Sequence, residues 1–401
     1  MKILLLNLYY PPDTSATAKM AELVVNALAR ENEVTVLCGR PSYDPADRRA
    51  WRLFQTEDKN NVHVVRVGST DFPRLEMKKR VLNYLTYTSL AIPLSLFTRG
   101  DVVLAMTDPP FEGIIGALVA MLKGKPYIYN IRDMYPDMAL GGAIVAPGSL
   151  SRVWEKLHRW ALRRAARVIV LGEDMHNRIV AKGVRADRIE IVRDGAELRS
   201  SDAPPALADF EIIRQIRGGF RFVILHAGNI GFYGAWETII SGAKQLAGED
   251  VGFVFVGEGA QRAQLESIAA GASNIRFLSF FPSLKIPSVL AAADAHVITV
   301  KRGLEGVVVP SKMYGILAAG KPIVAVAPKE TDVVALGEKM GFSIGVNPDC
   351  PDDLAKIIRQ LARDPARVER MSRAALAAAP AYDRVKELDK FVGIVEAMCP
   401  R

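Results

Sequence analysis

Three stretches in the second half of the chain carry residue types that could hold an anion. Ala227-Gly228-Asn229-Ile230-Gly231 follows an apolar run ending at His226 and precedes a helix expected from about Ala235. Val256-Gly257-Glu258-Gly259 repeats the device ahead of a helix over Gln261 to Ala269. Glycine lets backbone approach a ligand closely, and a helix start presents unpaired N–H groups to a phosphate. Taken singly, each stretch reads equally well as a strand-to-helix corner. The third stretch is more informative. Lys301 and Arg302 stand in an expected exposed loop, followed by Glu305-Gly306-Val307-Val308-Val309-Pro310-Ser311-Lys312-Met313-Tyr314 and a Gly320-Lys321-Pro322 turn. Ser311 is placed to cap a helix, and Lys312 sets a cation where an anionic group would rest against the helix start. The plain alternative is a capped helix with an exposed lysine.

The elements that must position these residues alternate in period. Apolar runs at Lys2 to Leu8, Glu33 to Leu37, Val62 to Val67, Asp101 to Ala105, Pro126 to Asn130, Arg167 to Leu171 and Ile189 to Val192 are separated by helical or irregular stretches. After a polar, proline-bearing connection around Ser200 to Pro205 the pattern restarts. Phe222 to His226, Gly252 to Val256, Ile275 to Leu278, Ala295 to Thr299, Ile323 to Val326 and Ser343 to Val346 read as six further strands. Short apolar strands alternating with helices predict parallel sheets covered on both faces. The fold class is therefore α/β, with two doubly wound Rossmann-like domains joined by a linker near residues 193–210. The expected division is 1–198, 199–375, and a C-terminal helix within 376–401 returning to the first domain. Ligands in such folds sit beyond the carboxyl ends of the strands, and with two such domains the expected place is the cleft between them.

At 401 residues, half of them hydrophobic and about a quarter charged, the chain has the profile of a globular protein larger than one core. Cys38, Cys350 and Cys399 are too scattered for a metal knuckle or a disulfide framework, which suits a reducing, cytoplasmic setting. The opening MKILLLNLYYPP reads as a buried strand rather than a signal peptide. Val81 to Phe97 is too short and too polar to span a bilayer. The net charge of +8 is lopsided: residues 1–200 hold 29 basic against 22 acidic side chains, and residues 201–401 hold 23 against 22. A basic first half points to an anionic partner. Arg74, Lys78, Lys79 and Arg80 precede an apolar stretch with Tyr84, Tyr87 and Phe97, a pattern attracted to an anionic membrane surface. Arg152, Lys156, Arg159 and Arg163 recur at helical spacing beside Val153, Leu157 and Trp160, and there a solvated helix face is the plainer reading. No nucleic-acid module is legible, so nucleic acid is not an expected partner.

Several motifs occur in a shared order along nearly the whole chain. They are the opening strand with Tyr9-Tyr10-Pro11-Pro12, the loop Ser15-Ala16-Thr17-Ala18, Thr107-Asp108-Pro109-Pro110, Ile131-Arg132-Asp133-Met134-Tyr135-Pro136-Asp137, the two glycine loops, and Pro310-Ser311-Lys312 with Ala318-Ala319-Gly320-Lys321-Pro322. At these residues the chain resembles the retaining glycosyltransferases of family 4, of GT-B fold. Within that family it is most similar to the branch that builds bacterial surface polysaccharides, including fucosaminyltransferase and colanic-acid type enzymes. The resemblance implies transfer of a sugar, an N-acetylated amino or deoxy sugar, from a nucleoside diphosphate such as UDP to a lipid-linked, polyprenyl-diphosphate acceptor at the inner face of the membrane. It implies no metal and no cofactor beyond the nucleotide-sugar donor, since the sequence offers no persuasive Asp-x-Asp or histidine cluster.

By the same resemblance, Asp133 and Asp137 are the candidates for catalysis, one to orient or deprotonate the acceptor and the other to cap a turn around Pro136. Ser15, Ala16, Thr17 and Asp108 are the candidates for holding the acceptor. The donor set is Gly228, Asn229, Gly231, Gly257, Glu258, Gly259, Lys301, Arg302, Glu305, Gly306, Val307, Pro310, Ser311 and Lys312. The chain also departs from the family. Gly315 stands where a ribose-contacting Glu is usual, Glu305 matches the earlier Glu only approximately, and Phe232 and Tyr233 replace a basic residue after Gly231. Diphosphate charge must then be met by Lys312, or by Lys301 and Arg302. A nucleotide-sugar epimerase, or a non-catalytic partner of a membrane transferase, are the alternative functions.

Overall fold

The run Ile3-Leu4-Leu5-Leu6 is apolar on both faces, and all four side chains are fully buried in β1 (Lys2–Leu6). That is the demand placed on a parallel strand with helices above and below it. The computed structural model describes residues 1–42, 51–72, 76–198 and 209–399. Arg74 and most of the expected linker therefore lie outside the described residues. The described chain divides into two compact units: Met1–Arg193 with Val385–Arg401, and Asp194–Arg384.

The first unit carries, among the described residues, an eight-stranded sheet of β1, β2 (Glu33–Cys38), β3 (Phe54–Lys59), β4 (Val62–Val67), β5 (Val102–Ala105), β6 (Tyr127–Asn130), β7 (Arg167–Val170) and β8 (Ile189–Ile191). Their order is β3-β4-β2-β1-β5-β6-β7-β8. Every pairing is parallel except β3 on β4. The direction of winding reverses between β1 and β5. The seven expected strands appear within a residue or two of their apolar runs. β3 was not expected, because Phe-Gln-Thr-Glu-Asp-Lys lacks an apolar run and stays largely exposed. Its signal is the turn that follows. Asn60 and Asn61 both take positive φ, 50° and 62°, as a two-residue hairpin turn requires, and asparagine tolerates that conformation better than most residues.

The helices Met77–Phe97, Glu112–Lys123 and Ser149–Arg164 pack side by side, the middle one touching both neighbours. On the first of them the structure corrects the expected membrane contact. Tyr84 and Tyr87 face inward, and Tyr87 is fully buried with its hydroxyl donating to the Leu37 carbonyl or the Glu112 carboxyl. Burial holds the Glu112 carboxyl well above its ordinary range, so this pair is neutral and structural. The outward residues are Val81, Leu82 and Leu85, on the opposite arc of the same helix. The C-terminal helix Arg384–Glu396 belongs to this unit: Leu388, Phe391 and Val395 share a core with Ile3, Leu5, Val24 and Val36. Residues 376–384 remain with the second unit, where Tyr382 packs on Tyr314.

The second unit carries, among the described residues, a six-stranded parallel sheet of β9 (Phe222–Ala227), β10 (Val251–Val256), β11 (Ile275–Leu278), β12 (Ala295–Thr299), β13 (Ile323–Val326) and β14 (Ser343–Val346), ordered β11-β10-β9-β12-β13-β14. The period-two rule divides β9 cleanly. Phe222 and Ile224 enter one core with Trp236, Ile239 and Leu354, whereas Val223 and Leu225 enter another with Ile212, Ile216 and Val289. Winding reverses between β9 and β12, the place where a doubly wound sheet opens for a ligand. Pairing there is confined to Ala295 with Ile224 and His296 with Leu225.

Candidate active site

Beyond that last pair, the carboxyl ends of β9 and β12 leave a pocket of about 170 Å³, open to solvent and lined by His226, Asn229, Gly231, Tyr233, Trp236, Thr299 and Val308 to Lys312. The first glycine loop forms part of its lining and is bonded from behind by the second. Gly228 N donates to Val256 O at 2.8 Å, Ile230 N to Glu258 O at 2.9 Å, and Gln261 N to Ile230 O at 3.0 Å. Those bonds hold the loops together, and at the two expected helix starts Ala235 N donates to Thr299 Oγ1 at 2.8 Å and Gln261 N to Ile230 O, which corrects the expectation that helix-start amides stand unpaired there. The closeness is what demands glycine. Gly257 has φ 149°, and a Cβ there would meet the Gly228 carbonyl oxygen at 2.0 Å.

Lys312 opens the helix Lys312–Ala318 and runs back across the first glycine loop, where a Cβ on Gly228 would meet its Cε at 2.4 Å. Its Nζ lies 3.0 Å from His226 Nε2. Burial lowers the lysine to about 7. His226 is held well below its ordinary value, first by burial and then by the charge of Lys312, so its imidazole is neutral. The ring meets Trp236 edge-on at 4.8 Å, and Trp236 Nε1 donates to Gly231 O at 2.6 Å. Ser311 stands at the N-cap position, but its hydroxyl makes no capping bond and its backbone is already helical, which corrects the expected cap.

The other expected donor residues divide. Asn229, Gly231, Pro310, Ser311 and Lys312 line the pocket, with Gly228 against Lys312. Gly257 and Gly259 support the first glycine loop from behind, and Gly306 and Val307 shape the preceding loop, Val307 fully buried. Lys301 is exposed, and its backbone N–H donates to Tyr233 O. Arg302 is corrected: its guanidinium is committed to Asp349 and Asn347 at 2.8 to 2.9 Å. Glu258 pairs with Arg262, which also bonds Gly257 O, and Glu305 accepts from Gly303 N at 2.8 Å. His226, Tyr233, Trp236 and Thr299 were missed. A histidine ending an apolar strand reads as a core residue, and only the two-strand divergence shows that its ring edges a pocket.

In the first unit, the winding reversal brings together Asn7 and Asp108: Asp108 N donates to Asn7 Oδ1 at 3.4 Å, and Leu8 N donates to Asp108 O at 2.7 Å. Ser15 is buried and caps the helix Ala16–Leu28, its Oγ accepting from Ala18 N at 3.0 Å. Its side chain is thus occupied in the fold, whereas Ala16 is exposed and Thr17 half-buried. Asp133 is half-buried just beyond β6.

Asp137 has another task. Its carboxylate receives Arg178 Nη2 at 3.0 Å and Lys182 Nζ at 2.7 Å, and Lys182 also pairs with Glu155 at 2.8 Å. Burial would raise this carboxyl, but Lys182 and Arg178 outweigh it and hold it below the ordinary range. A doubly paired carboxylate is a poor base, so the expected catalytic role passes to a structural one. Asp137→Asn should cost about 3 kcal/mol of stability, because two cations lose a buried partner. Denaturant unfolding measures it. The wild-type advantage is present above about pH 4 and is lost as the pH falls through the depressed carboxyl value.

Residues 16–195 match the model of the glycosyl transferase 4-like domain, and residues 221–364 match that of the glycosyl transferases group 1. The chain belongs to the family 4-like glycosyltransferases. Among relatives of this glycosyltransferase is the protein named for colanic acid biosynthesis glycosyl transfer, WcaI of Escherichia coli (strain K12), 28% identical over 382 residues that cover 90% of this chain and 92% of the relative. WbjE of Pseudomonas aeruginosa, named as a glycosyltransferase, is 26% identical over 66% of each chain. The crystal structure of HepE from Anabaena in complex with UDP superimposes with a TM-score of 0.69 over 99% of this chain and 100% of its own, at 18% identity. The fold of this glycosyltransferase is accordingly GT-B.

Proposed function

We propose that this glycosyltransferase moves a sugar from UDP to a lipid-linked precursor of a surface polysaccharide, without a metal ion and with retention at the anomeric carbon. The observation that carries the reading is the pocket at the β9–β12 divergence, with Lys312 laid across a glycine loop. UDP in the HepE complex and the colanic acid name of WcaI supply the nucleotide and the pathway class. In this reading the bond from the anomeric carbon to the β-phosphate oxygen breaks with its electron pair passing to the diphosphate. The incoming hydroxyl oxygen bonds the same carbon on the same face. Lys312 meets the growing negative charge on the diphosphate, and Asp133 orients the hydroxyl and takes its proton.

Incubation with UDP- and GDP-sugars and polyprenyl-diphosphate sugars tests this. Transfer with the donor's anomeric configuration supports it, whereas a new nucleotide sugar formed without acceptor marks an epimerase. Binding with neither transfer nor hydrolysis marks a non-catalytic partner. Lys312→Ala should weaken UDP binding by about 1 to 3 kcal/mol, the scale of a lost charge-assisted hydrogen bond. Calorimetric affinity equal to wild type would remove Lys312 from the site.

The acceptor's lipid calls for a membrane surface, and we assign this contact to the first unit, from the cytoplasmic side. Among the described residues no helix is long and apolar enough to cross a membrane. What supports a peripheral contact is exposed apolar surface flanked by basic residues on two helices of one layer. Val81, Leu82 and Leu85 lie beside Lys78, Lys79 and Arg80, and Leu150, Val153 and Leu157 beside Arg152, Lys156 and Arg163. Leu85, 57% exposed, keeps its expected inserting role, and Leu150, 77% exposed, takes the place of the buried Tyr84 and Tyr87. Each basic residue near an anionic leaflet is worth about 1 kcal/mol. Flotation should recover the protein with anionic liposomes at low salt, less so at 1 M salt, where the Debye length falls to about 3 Å. Lys78, Lys79 and Arg80 changed to Gln should weaken recovery, and Leu150, Val153 and Leu157 changed to Ser should remove the salt-resistant part. Unchanged flotation of both variants rejects this surface.

A further inference from the structure

Lys312 is a cation without a counter-anion. Among the described residues no carboxylate pairs with it, and burial alone accounts for its lowered proton affinity. The ionisable groups around it have other engagements. From β9 it meets His226. Behind that ring, on β12, His296 bonds the Leu290 carbonyl through Nε2 at 2.9 Å and is itself lowered to about 4 by burial. Glu258 on the second glycine loop is paired with Arg262, and Glu305 is turned to Gly303 N.

The His226 ring has a defined polarity. The ammonium form of Lys312 has no lone pair, so towards that form the imidazole Nε2 must accept, which puts the ring proton on Nδ1. There the Val297 carbonyl oxygen lies 3.4 Å away, on the strand that diverges from β9. The chain of contacts therefore runs from the β12 backbone through a neutral imidazole to the lysine nitrogen at the pocket wall. Packing against Trp236 and Phe255 prevents the ring from swinging aside.

We propose that His226 is a positioning residue that holds the Lys312 nitrogen at the pocket wall, and that a nucleoside diphosphate entering the pocket brings with it the uptake of one proton at Lys312. This deepens the donor reading above and rests on it. In the empty pocket no carboxylate of the described residues pairs with the half-buried lysine nitrogen, and its neighbour is a neutral imidazole, which disfavours its charged form. A diphosphate supplies the missing negative charge and restores the ammonium form, to which the imidazole nitrogen remains the hydrogen-bond acceptor. When the diphosphate leaves, the proton leaves with it or after it, and the pocket returns to a neutral pair. The charge that grips the donor is thus present only while a diphosphate is there to be gripped.

Calorimetric titration of the full chain with UDP, at pH 8 in buffers of high and low ionisation heat, tests the proposal. The apparent enthalpy should differ between buffers by an amount that reports close to one proton taken up. UDP affinity should fall about tenfold per pH unit between pH 8 and 9, as linkage requires when one proton is bound with the ligand. Lys312→Met should bind weakly, with no buffer-dependent heat and no slope in this range. His226→Met should lower affinity several-fold and move the onset of the pH-dependent loss to lower pH, and His226→Gln, which keeps a hydrogen-bond acceptor, should recover part of both. UDP binding by the wild type with the same heat in every buffer overturns proton uptake and leaves the donor reading standing. Failure of UDP, with other nucleoside diphosphates, to bind at all overturns both. If His226→Met is folded by its melting curve yet binds with wild-type affinity and pH dependence, His226 does not position the lysine. If it fails to fold, His226→Gln and the wild-type buffer series decide the matter.

Discussion

Gly257→Ala is expected to cost about 4 kcal/mol of stability in the second unit and to abolish UDP binding. Two terms of comparable size combine. A φ of 149° lies where side-chain-bearing residues are strained by about 1 to 3 kcal/mol. The added methyl would also meet a backbone oxygen, that of Gly228, at 2.0 Å, and forced overpacking costs about 1 to 3 kcal/mol more. Backbone cannot step aside as a flexible side chain would. Relief has to come from parting the two loops, which breaks Gly228 N from Val256 O and Gly257 N from Leu278 O and displaces the wall beneath Lys312. Gly271 provides the control, with φ 80° and nothing within 4 Å of a built Cβ. Gly271→Ala should cost only about 1 kcal/mol. Urea unfolding of the two variants compares them, and equal losses would show that the contact between the loops carries no special weight.

Asp133→Asn is expected to lower turnover by about a hundred- to ten-thousand-fold, the usual contribution of a positioned general base. UDP affinity and melting temperature should stay close to wild type, because the side chain is only half-buried and the donor pocket lies in the other unit. Asp137→Asn should show the reverse pattern: a clear loss of stability and, in the fraction that folds, turnover near normal. The pair separates chemistry from architecture within one motif. A well-folded Asp133→Asn enzyme with wild-type turnover, measured with donor saturating, sinks the assignment.

The sheet strands were legible because their physics is local. Ile323 to Val326 and Ser343 to Val346 are apolar runs bounded by turn residues, and their limits match the structure to the residue. β3 was not legible by that rule, since an edge strand with one neighbour needs no apolar run. The site was legible to a smaller extent. Gly228, Gly257 and Lys312 stood out through spacing, yet the reason for the glycines was a contact between two loops 29 residues apart, which no single stretch reveals. Arg302 and Lys301 looked equivalent in sequence, and a partner 47 residues onward, Asp349, decided between them. Tyr84 and Tyr87 show the same limit: an amphipathic helix has two sides, and the aromatic one was the inner side.

The hairpin that ends the eight-stranded sheet has a bearing on solubility. β4 is mostly apolar, and all but His63 of its six side chains are buried. Without β3 its backbone would present an open row of donors and acceptors along a nearly hydrophobic strand, the kind of template on which chains stack into aggregates. β3 closes that row and turns outward a strand of Gln55, Thr56, Glu57, Asp58 and Lys59, whose mixed charges make a poor seat for a further strand. A segment with little hydrophobic content of its own therefore covers the backbone edge of an apolar strand.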